Sequence, residues 1–323
     1  SIAELLARLA DDRQLLAERL LAGQLPGPVV DLQGDAGDLH NHGRSVVLLT
    51  FASGGRAVYK PKDLRIAAAY MDLVARLNPG LELPLPTRAI VTRPGYAWEE
   101  CVAPGACTSH AQIERFYTRM GMTIRLLQLL EARDFWLDNL LACGEQPVFV
   151  DLEMLLQPRM PYPAQQSPAQ REAWRQLEES PAHLGVLSMP MVIAPGVRAE
   201  DLGALSASAR FLTPFKHYGT APGAAAQPGD FRNWEHAEHI PQLGETPMPA
   251  ASYLGQILAG YRAMHACLLA NQPALLADDG PLQQMQHFPV RFIHRDTWTN
   301  YKIVQGSVSP SRLRDGVRRE QFL

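Results

Sequence analysis

Apolar residues recur every three or four positions in four stretches of the chain, the spacing that gathers side chains on one face of an α-helix. The predicted helices span residues 3–22, 63–77, 111–132 and 251–270. The stripe over 111–132 is sustained over the whole stretch, so we expect this helix to bury one side in a helical region.

Short apolar runs bounded by glycine, proline or polar residues predict strands, and most of them lie in the first third of the chain. They span residues 28–32, 44–51, 56–60, 87–92, 96–102, 140–142 and 148–150, with a further strand-like run at 290–293. Ser53-Gly54-Gly55 has the composition of a tight hairpin turn. The pattern predicts an α+β fold with two lobes, in which a small antiparallel sheet with one helix precedes a mainly helical lobe.

The character of the chain changes beyond Gly105 from alternating strands to helix. We therefore predict an N-terminal helix and small lobe over residues 1–104 and a helical lobe over 105–323. Residues 157–250 contain 13 of the 26 prolines. This composition predicts a loop-rich insertion with short elements inside the second lobe.

The charge balance excludes some classes of function. With 30 Lys+Arg and 33 Asp+Glu the formal net charge is −3, so we expect no general attraction to nucleic acid or anionic lipid. No apolar run approaches the ~20 residues of a membrane span, and no signal peptide is visible. Four cysteines without C-x-x-C spacing argue against a cysteine zinc site and fit a reducing cytoplasm.

Several residues stand in an order typical of phosphoryl transfer. That reaction needs a carboxylate to orient a hydroxyl, oxygen ligands for the metal on the nucleotide, and a cation on the phosphates. Asp134 precedes Asn139 by five positions, the offset of the protein-kinase catalytic loop, and Asp151 follows an apolar strand. Lys60 ends a predicted strand and precedes a helix, as the kinase lysine does. Each feature alone is common, so the evidence lies in their order.

An upstream loop with Gly34, Gly37 and Gly43 departs from the G-x-G-x-x-G pattern, so the chain is not an ordinary protein kinase. Its motifs resemble instead the dehydratase domain of class II lanthionine synthetases, the LanM type. The matching blocks run in order from about Val30 to the end of the chain. They are Gly37–Val46, Val58-Tyr59-Lys60-Pro61-Lys62, Asp134–Leu140, Pro147–Glu153, Leu184–Leu187, Val290–Thr297 with Tyr301, and Leu313–Gly316.

This resemblance implies a kinase-like domain that uses ATP and Mg²⁺ to phosphorylate Ser and Thr in a ribosomally made precursor peptide. The same site then eliminates the phosphate and leaves dehydroalanine or dehydrobutyrine. It also implies a partner peptide with a leader sequence and a cytoplasmic location. The ring-forming zinc domain of these synthetases has no counterpart here, so we expect a piece of a longer synthetase.

The resemblance assigns phosphorylation to Lys60, Asp134, Asn139 and Asp151, and their chemistry fits. Asp134 can orient or deprotonate the substrate hydroxyl, and Lys60 can offset phosphate charge. Asn139 and Asp151 are oxygen ligands suited to Mg²⁺. Glu153 lies two residues beyond Asp151, and on a continuing strand it would point to the same side, which makes it a further metal-ligand candidate.

The family resemblance assigns elimination to four further residues, Asp38, His40, Arg291 and Thr297. Its elimination motif lies at about 290–301. Arg291 can grip the leaving phosphate through paired N–H groups. His40 has a reference pKa near ~6.5, suited to proton transfer at neutral pH. Thr297 can bond the phosphate or fix Arg291. The sequence leaves open which group removes the α-proton.

One position departs from the family pattern. Two residues after Asp134, where relatives usually carry histidine, this chain has Trp136. Indole cannot accept a proton or bind metal, although its N–H can donate one hydrogen bond. Either the histidine is dispensable here or phosphorylation is weakened. A non-catalytic, peptide-binding kinase fold therefore remains an alternative. A phosphotransferase without elimination is a second alternative, against which His40, Arg291 and Thr297 argue.

His236 and His239, with Glu235 and Glu238, have the residue types of a metal cluster. They lie in the proline-rich stretch without a second ligand pair at a recognised spacing. We therefore interpret them as part of a solvated loop. The segment Trp98-Glu99-Glu100 is predicted to lie on a strand near the junction of the lobes, and its side chains are given no role.

Overall fold

A computed structural model describes residues 2–34, 44–159, 167–188, 192–194, 197–198, 202–206, 210–212, 231–233, 238–292, 303 and 306–322. The first elements are α1 (Ile2–Arg19), β1 (Val29–Gln33), β2 (Val47–Phe51), β3 (Arg56–Lys60), α2 (Arg65–Leu77), β4 (Ile90–Arg93) and β5 (Tyr96–Glu100). They are followed by α3 (His110–Leu129), β6 (Leu140–Cys143), β7 (Gln146–Phe149) and α4 (Pro168–Glu179).

Short strand pairs then join Val192–Ala194 to Val197–Arg198, Arg210–Leu212 to Phe231–Asn233, and Gln242–Leu243 to Thr246–Pro247. Three helices complete this part: α5 (Leu254–Ala270), α6 (Gln272–Leu275) and α7 (Pro281–Met285). The chain separates into two compact units, Ser1–Val290 and Arg291–Leu323. In the second unit, the described residues include the short helices Pro310–Leu313 and Gly316–Phe322.

The first five strands form one antiparallel sheet in the order β1-β2-β3-β5-β4. In the pairing of β3 with β5, Val58 lies opposite Glu99 and Lys60 lies opposite Ala97. Since successive side chains of a strand point to opposite faces, Lys60 and Glu99 share one face of the sheet. This register places a buried lysine beside a buried glutamate.

Helix α1 covers the other face of the sheet. Its leucines pack against a cluster of buried residues that includes Phe51, Tyr59 and Trp98. Within this contact Asp12 is 2% exposed and accepts hydrogen bonds from Trp98 Nε1 at 2.9 Å and from the Tyr96 hydroxyl at 2.8 Å. Arg93 Nε donates to it at 2.7 Å. A buried carboxylate is costly without such donors, so they fix α1 on the sheet.

The larger core lies between α2, α3 and α5 and extends under β6 and β7. Helices α3 and α5 approach closely at Gly121 and Gly260. A Cβ atom on Gly121 would lie 1.9 Å from the Ile257 carbonyl oxygen, and one on Gly260 would lie 1.8 Å from that of Thr118. Glycine is therefore required at this crossing, since any larger residue would push the helices apart.

The predicted α+β class is confirmed, with a small antiparallel sheet and a mainly helical remainder. The four long helices and the strands of the sheet lie within a few residues of their predicted bounds. The strand-like run at 290–293 is wrong over its described residues, because residues 290–292 form no strand. The division at residue 104 remains a prediction. Among the residues that the structure describes, no helix has the length and apolarity needed to cross a bilayer.

Candidate active site

Lys60 ends β3 and is buried, with 8% of its side chain exposed. Its ammonium group lies 3.0 Å from Glu99 Oε2 and donates to the Val150 carbonyl oxygen at 2.5 Å. Val150 is the residue directly before Asp151, so Lys60 joins the sheet to the segment that carries the predicted metal ligands. Within the described part of the chain these two partners use two of the three ammonium N–H groups.

Glu99 holds Lys60 from β5 and is itself almost fully buried. Arg88 lies on its other side, with Nε 3.7 Å from Glu99 Oε2. Two buried nitrogens of Arg88, Nε and Nη2, have no hydrogen-bond partner among the described residues. Glu99 therefore lies between two buried cationic side chains. Sequence reasoning placed Glu99 on a strand and gave it no role.

A second lysine, Lys62, contacts both carboxylates that follow β7. Its ammonium lies 2.7 Å from Glu153 Oε2, and 3.2 and 3.3 Å from the two Asp151 oxygens. Burial raises the pKa of the Asp151 carboxyl, but the positive charges of Lys62 and Lys60 outweigh this effect and hold the pKa below its ordinary value. Asp151 is therefore a carboxylate at neutral pH. Sequence reasoning gave Lys62 no role.

Asp134 opens the segment that carries the predicted catalytic carboxylate. It has φ +69°, a left-handed conformation that is uncommon outside glycine. The Asn139 side-chain amide donates to the Asp134 carbonyl oxygen at 2.8 Å and holds this turn closed. The Asn139 carbonyl oxygen accepts from Val150 N at 2.9 Å. Asn139 therefore connects the Asp134 turn to the strand end that precedes Asp151.

Trp136, which stands where relatives usually carry histidine, contacts Asp134 directly. Its indole Nε1–H donates a 2.7 Å hydrogen bond to Asp134 Oδ1. The indole lies against Gly185, where an added Cβ would meet ring atoms at 3.2 and 3.3 Å. Gly185 has φ +84°, a conformation that glycine adopts without strain. The ring is therefore fixed with its N–H directed at the carboxylate.

Two later segments hold the backbone of this turn. Phe135 N donates to the Leu184 carbonyl oxygen at 2.9 Å, and Leu137 N donates to that of Leu202 at 3.1 Å. Between them Trp136 forms an antiparallel bridge with Gly203. The motif Leu184-Gly185-Val186-Leu187 is thus part of the frame around the candidate catalytic residue.

The structure connects Lys60, Asp134, Asn139 and Asp151 through a short chain of contacts. It places Glu153 against Lys62. Asp38, His40 and Thr297 lie outside the described residues. Arg291 belongs to the second unit, where it is partly buried.

The donors fit the ligand preferences of Mg²⁺ in part. Asp151 is 30% exposed and charged, and the side chain of Asn139 supplies an amide oxygen. No group of three or more His, Cys, Asp or Glu residues suited to a metal occurs among the described residues.

The prediction that the histidines at 236 and 239 form a solvated loop is wrong for His239, which is 3% exposed and contacts the Ser206 carbonyl oxygen at 3.2 Å. His236 lies outside the described residues.

All four cysteines fall in the described part of the chain and are free thiols. A search of curated proteins found no match to this chain. A family model described as a domain of unknown function, DUF4135, matches residues 1–323. The whole chain therefore belongs to the DUF4135 family, which is associated with lanthionine synthetase-like proteins.

Proposed function

We propose that this chain is a peptide dehydratase of the lanthionine synthetase type. It transfers the γ-phosphoryl group of ATP to Ser or Thr of a ribosomal precursor peptide and then eliminates phosphate to leave dehydroalanine or dehydrobutyrine. The observation that carries the proposal is the contact chain from Lys60 through Val150 and Asn139 to Asp134. It joins the Lys60 ammonium and the Asn139 side-chain amide to the backbone of the segments that carry the Asp134 and Asp151 carboxylates.

For phosphorylation, Asp134 accepts the proton of the substrate hydroxyl while the hydroxyl oxygen bonds to the γ-phosphorus and the bond to the β-phosphate oxygen breaks. The indole N–H of Trp136 donates to one oxygen of Asp134 and so orients the carboxylate. Lys60 would offset the charge of the phosphates. Asn139 and Asp151 would hold Mg²⁺, which supplies charge neutralisation at the phosphates when bound.

For elimination, the α-carbon of phosphoserine or phosphothreonine loses a proton, the Cβ–O bond breaks, and phosphate departs. The family resemblance assigns this step to Asp38, His40, Arg291 and Thr297. A guanidinium such as that of Arg291 suits the departing dianion, because paired N–H groups form charge-assisted bonds with two phosphate oxygens. The leader of the precursor peptide and other segments of a longer, cytoplasmic synthetase are the partners that this function implies.

The test is mass spectrometry of a class II lanthipeptide precursor incubated with the purified chain, ATP and Mg²⁺. We expect a peptide lighter by one water for each Ser or Thr that reacts. Asp134→Asn should leave the peptide unchanged, and Arg291→Ala should let it gain phosphate and keep it. Asp72→Asn, on the exposed side of α2, is the matched control and should dehydrate normally.

Each result separates the alternatives. A wild-type chain that only phosphorylates supports the phosphotransferase without elimination. A chain that neither binds Mg·ATP in a titration nor modifies peptide supports the non-catalytic, peptide-binding fold. Normal dehydration by the Arg291→Ala variant would remove this residue from the elimination step.

A further inference from the structure

The contacts of Lys62 with its two carboxylates are unequal. The distance to Glu153 is 2.7 Å, that of a charge-assisted hydrogen bond, whereas Lys62 lies 3.2 and 3.3 Å from the two oxygens of Asp151. Glu153 is therefore the firm partner of Lys62. The contact with Asp151 is longer and shared between both oxygens.

Burial separates the two carboxylates in the same way. The side chains of Lys62 and Glu153 are 8% and 6% exposed, whereas that of Asp151 is 30% exposed. Glu153 and Lys62 thus form a sealed ion pair. Asp151 lies at its edge, with part of its side chain exposed.

We propose that Lys62 is a built-in competitor for the metal ion, held beside Asp151 by Glu153. This inference rests on the proposed function, because it concerns the metal of that site. Glu153 then serves as the counter-ion of Lys62 and does not bind the metal. The ammonium occupies coordination space on both oxygens of Asp151 and repels a second cation at close range.

The competition has a consequence for how the site is loaded. A bare divalent cation meets one carboxylate that already has a cation, so it binds weakly. A divalent cation that arrives bound to nucleotide phosphates is part of a complex with net negative charge, and Lys62 and Lys60 attract that complex. Lys62 therefore favours the metal–nucleotide complex over the free metal.

The test measures binding of Mn²⁺ alone by calorimetric titration and by electron paramagnetic resonance. Lys62→Met should bind Mn²⁺ about tenfold tighter than the wild type, because the competing charge is gone. Lys62→Met/Glu153→Gln removes both buried charges and so avoids an unpaired glutamate. It should bind Mn²⁺ about threefold tighter or more. Urea denaturation shows whether each variant is folded. Lys62→Gln/Glu153→Gln is a second double variant without the two charges, and it is used if the first is unfolded.

Glu153→Gln alone should weaken Mn²⁺ binding, because Lys62 loses its other carboxylate partner and pairs more strongly with Asp151. Asp151→Asn in the double variant should abolish the gain. The proposal is overturned if no folded variant without Lys62 binds Mn²⁺ more tightly than the wild type. It is also overturned if both double variants bind more weakly, since Glu153 would then be a ligand. Failure of peptide dehydration by the wild type counts against the proposed function and leaves the Mn²⁺ comparison valid.

Discussion

The hydrogen bond from Trp136 to Asp134 gives a direct test of the candidate catalytic carboxylate. Trp136→Phe keeps an aromatic ring against Gly185 and removes the donor, which lies 2.7 Å from Asp134 Oδ1. A hydrogen bond to a charged group contributes about 1.5–3 kcal/mol. If that bond holds Asp134 in its reactive orientation, its loss lowers kcat by about 10- to 100-fold, since 1.36 kcal/mol corresponds to a factor of ten in rate.

The assay is the initial rate of peptide phosphorylation at varied ATP, with the Arg291→Ala background used to stop the reaction at the phosphopeptide. We expect kcat to fall and KM for ATP to change by less than about threefold, because Trp136 contacts Asp134 and not Lys60. Trp136→His retains a ring N–H and should recover part of the rate. A Trp136→Phe enzyme with the wild-type kcat would refute the positioning role, as would equal losses in both variants.

Three further outcomes follow from described contacts. Lys60→Met should raise KM for ATP and lower phosphorylation at least about 100-fold, measured with the same assay, and unchanged kinetics would contradict the role of Lys60. Gly260→Ala should lower the free energy of unfolding by about 2–4 kcal/mol in urea titration, because its Cβ would overlap α3, and an unchanged midpoint would refute this close approach. Burial, together with the hydrogen bond to Asp12 and the charge of that residue, raises the pKa of Tyr96 to about 12. Tyr96 then contributes stability below pH ~10 that is lost as the pH rises through about 12. Absorbance titration of Asp12→Asn should show Tyr96 ionising at lower pH, and an unshifted curve would count against the bond.

Local spacing predicted the parts of the site that local structure determines. Lys60 follows from a strand that ends before a helix, and Asp134, Asn139 and Asp151 follow from offsets within one loop and hairpin. Glu99 could not be found in this way, because its position opposite Val58 depends on the register between two strands that are not adjacent in sequence.

Other misses have a similar cause. Lys62 lies beyond the end of β3, so the direction of its side chain depends on the shape of a turn. The alternation of side chains along a strand does not predict that shape. The sequence shows that the indole N–H of Trp136 can donate a hydrogen bond. Its acceptor could not be predicted, because the position of the ring depends on contacts with Gly185 and Gly203. The proline-rich surroundings of His239 predict a solvated loop. The residue is buried instead, because it contacts Ser206 in a segment that is distant in sequence.

The frame around Asp134 comes from chain that is translated well after it. Leu184, Gly185, Leu202 and Gly203 contribute the contacts to residues 135–137. Such long-range contacts form slowly, since loop closure must precede them. During synthesis on the ribosome, the nascent chain therefore exposes the Asp134 turn before its support has emerged. The Asp134 turn therefore gains its frame late, after most of the first unit has left the exit tunnel.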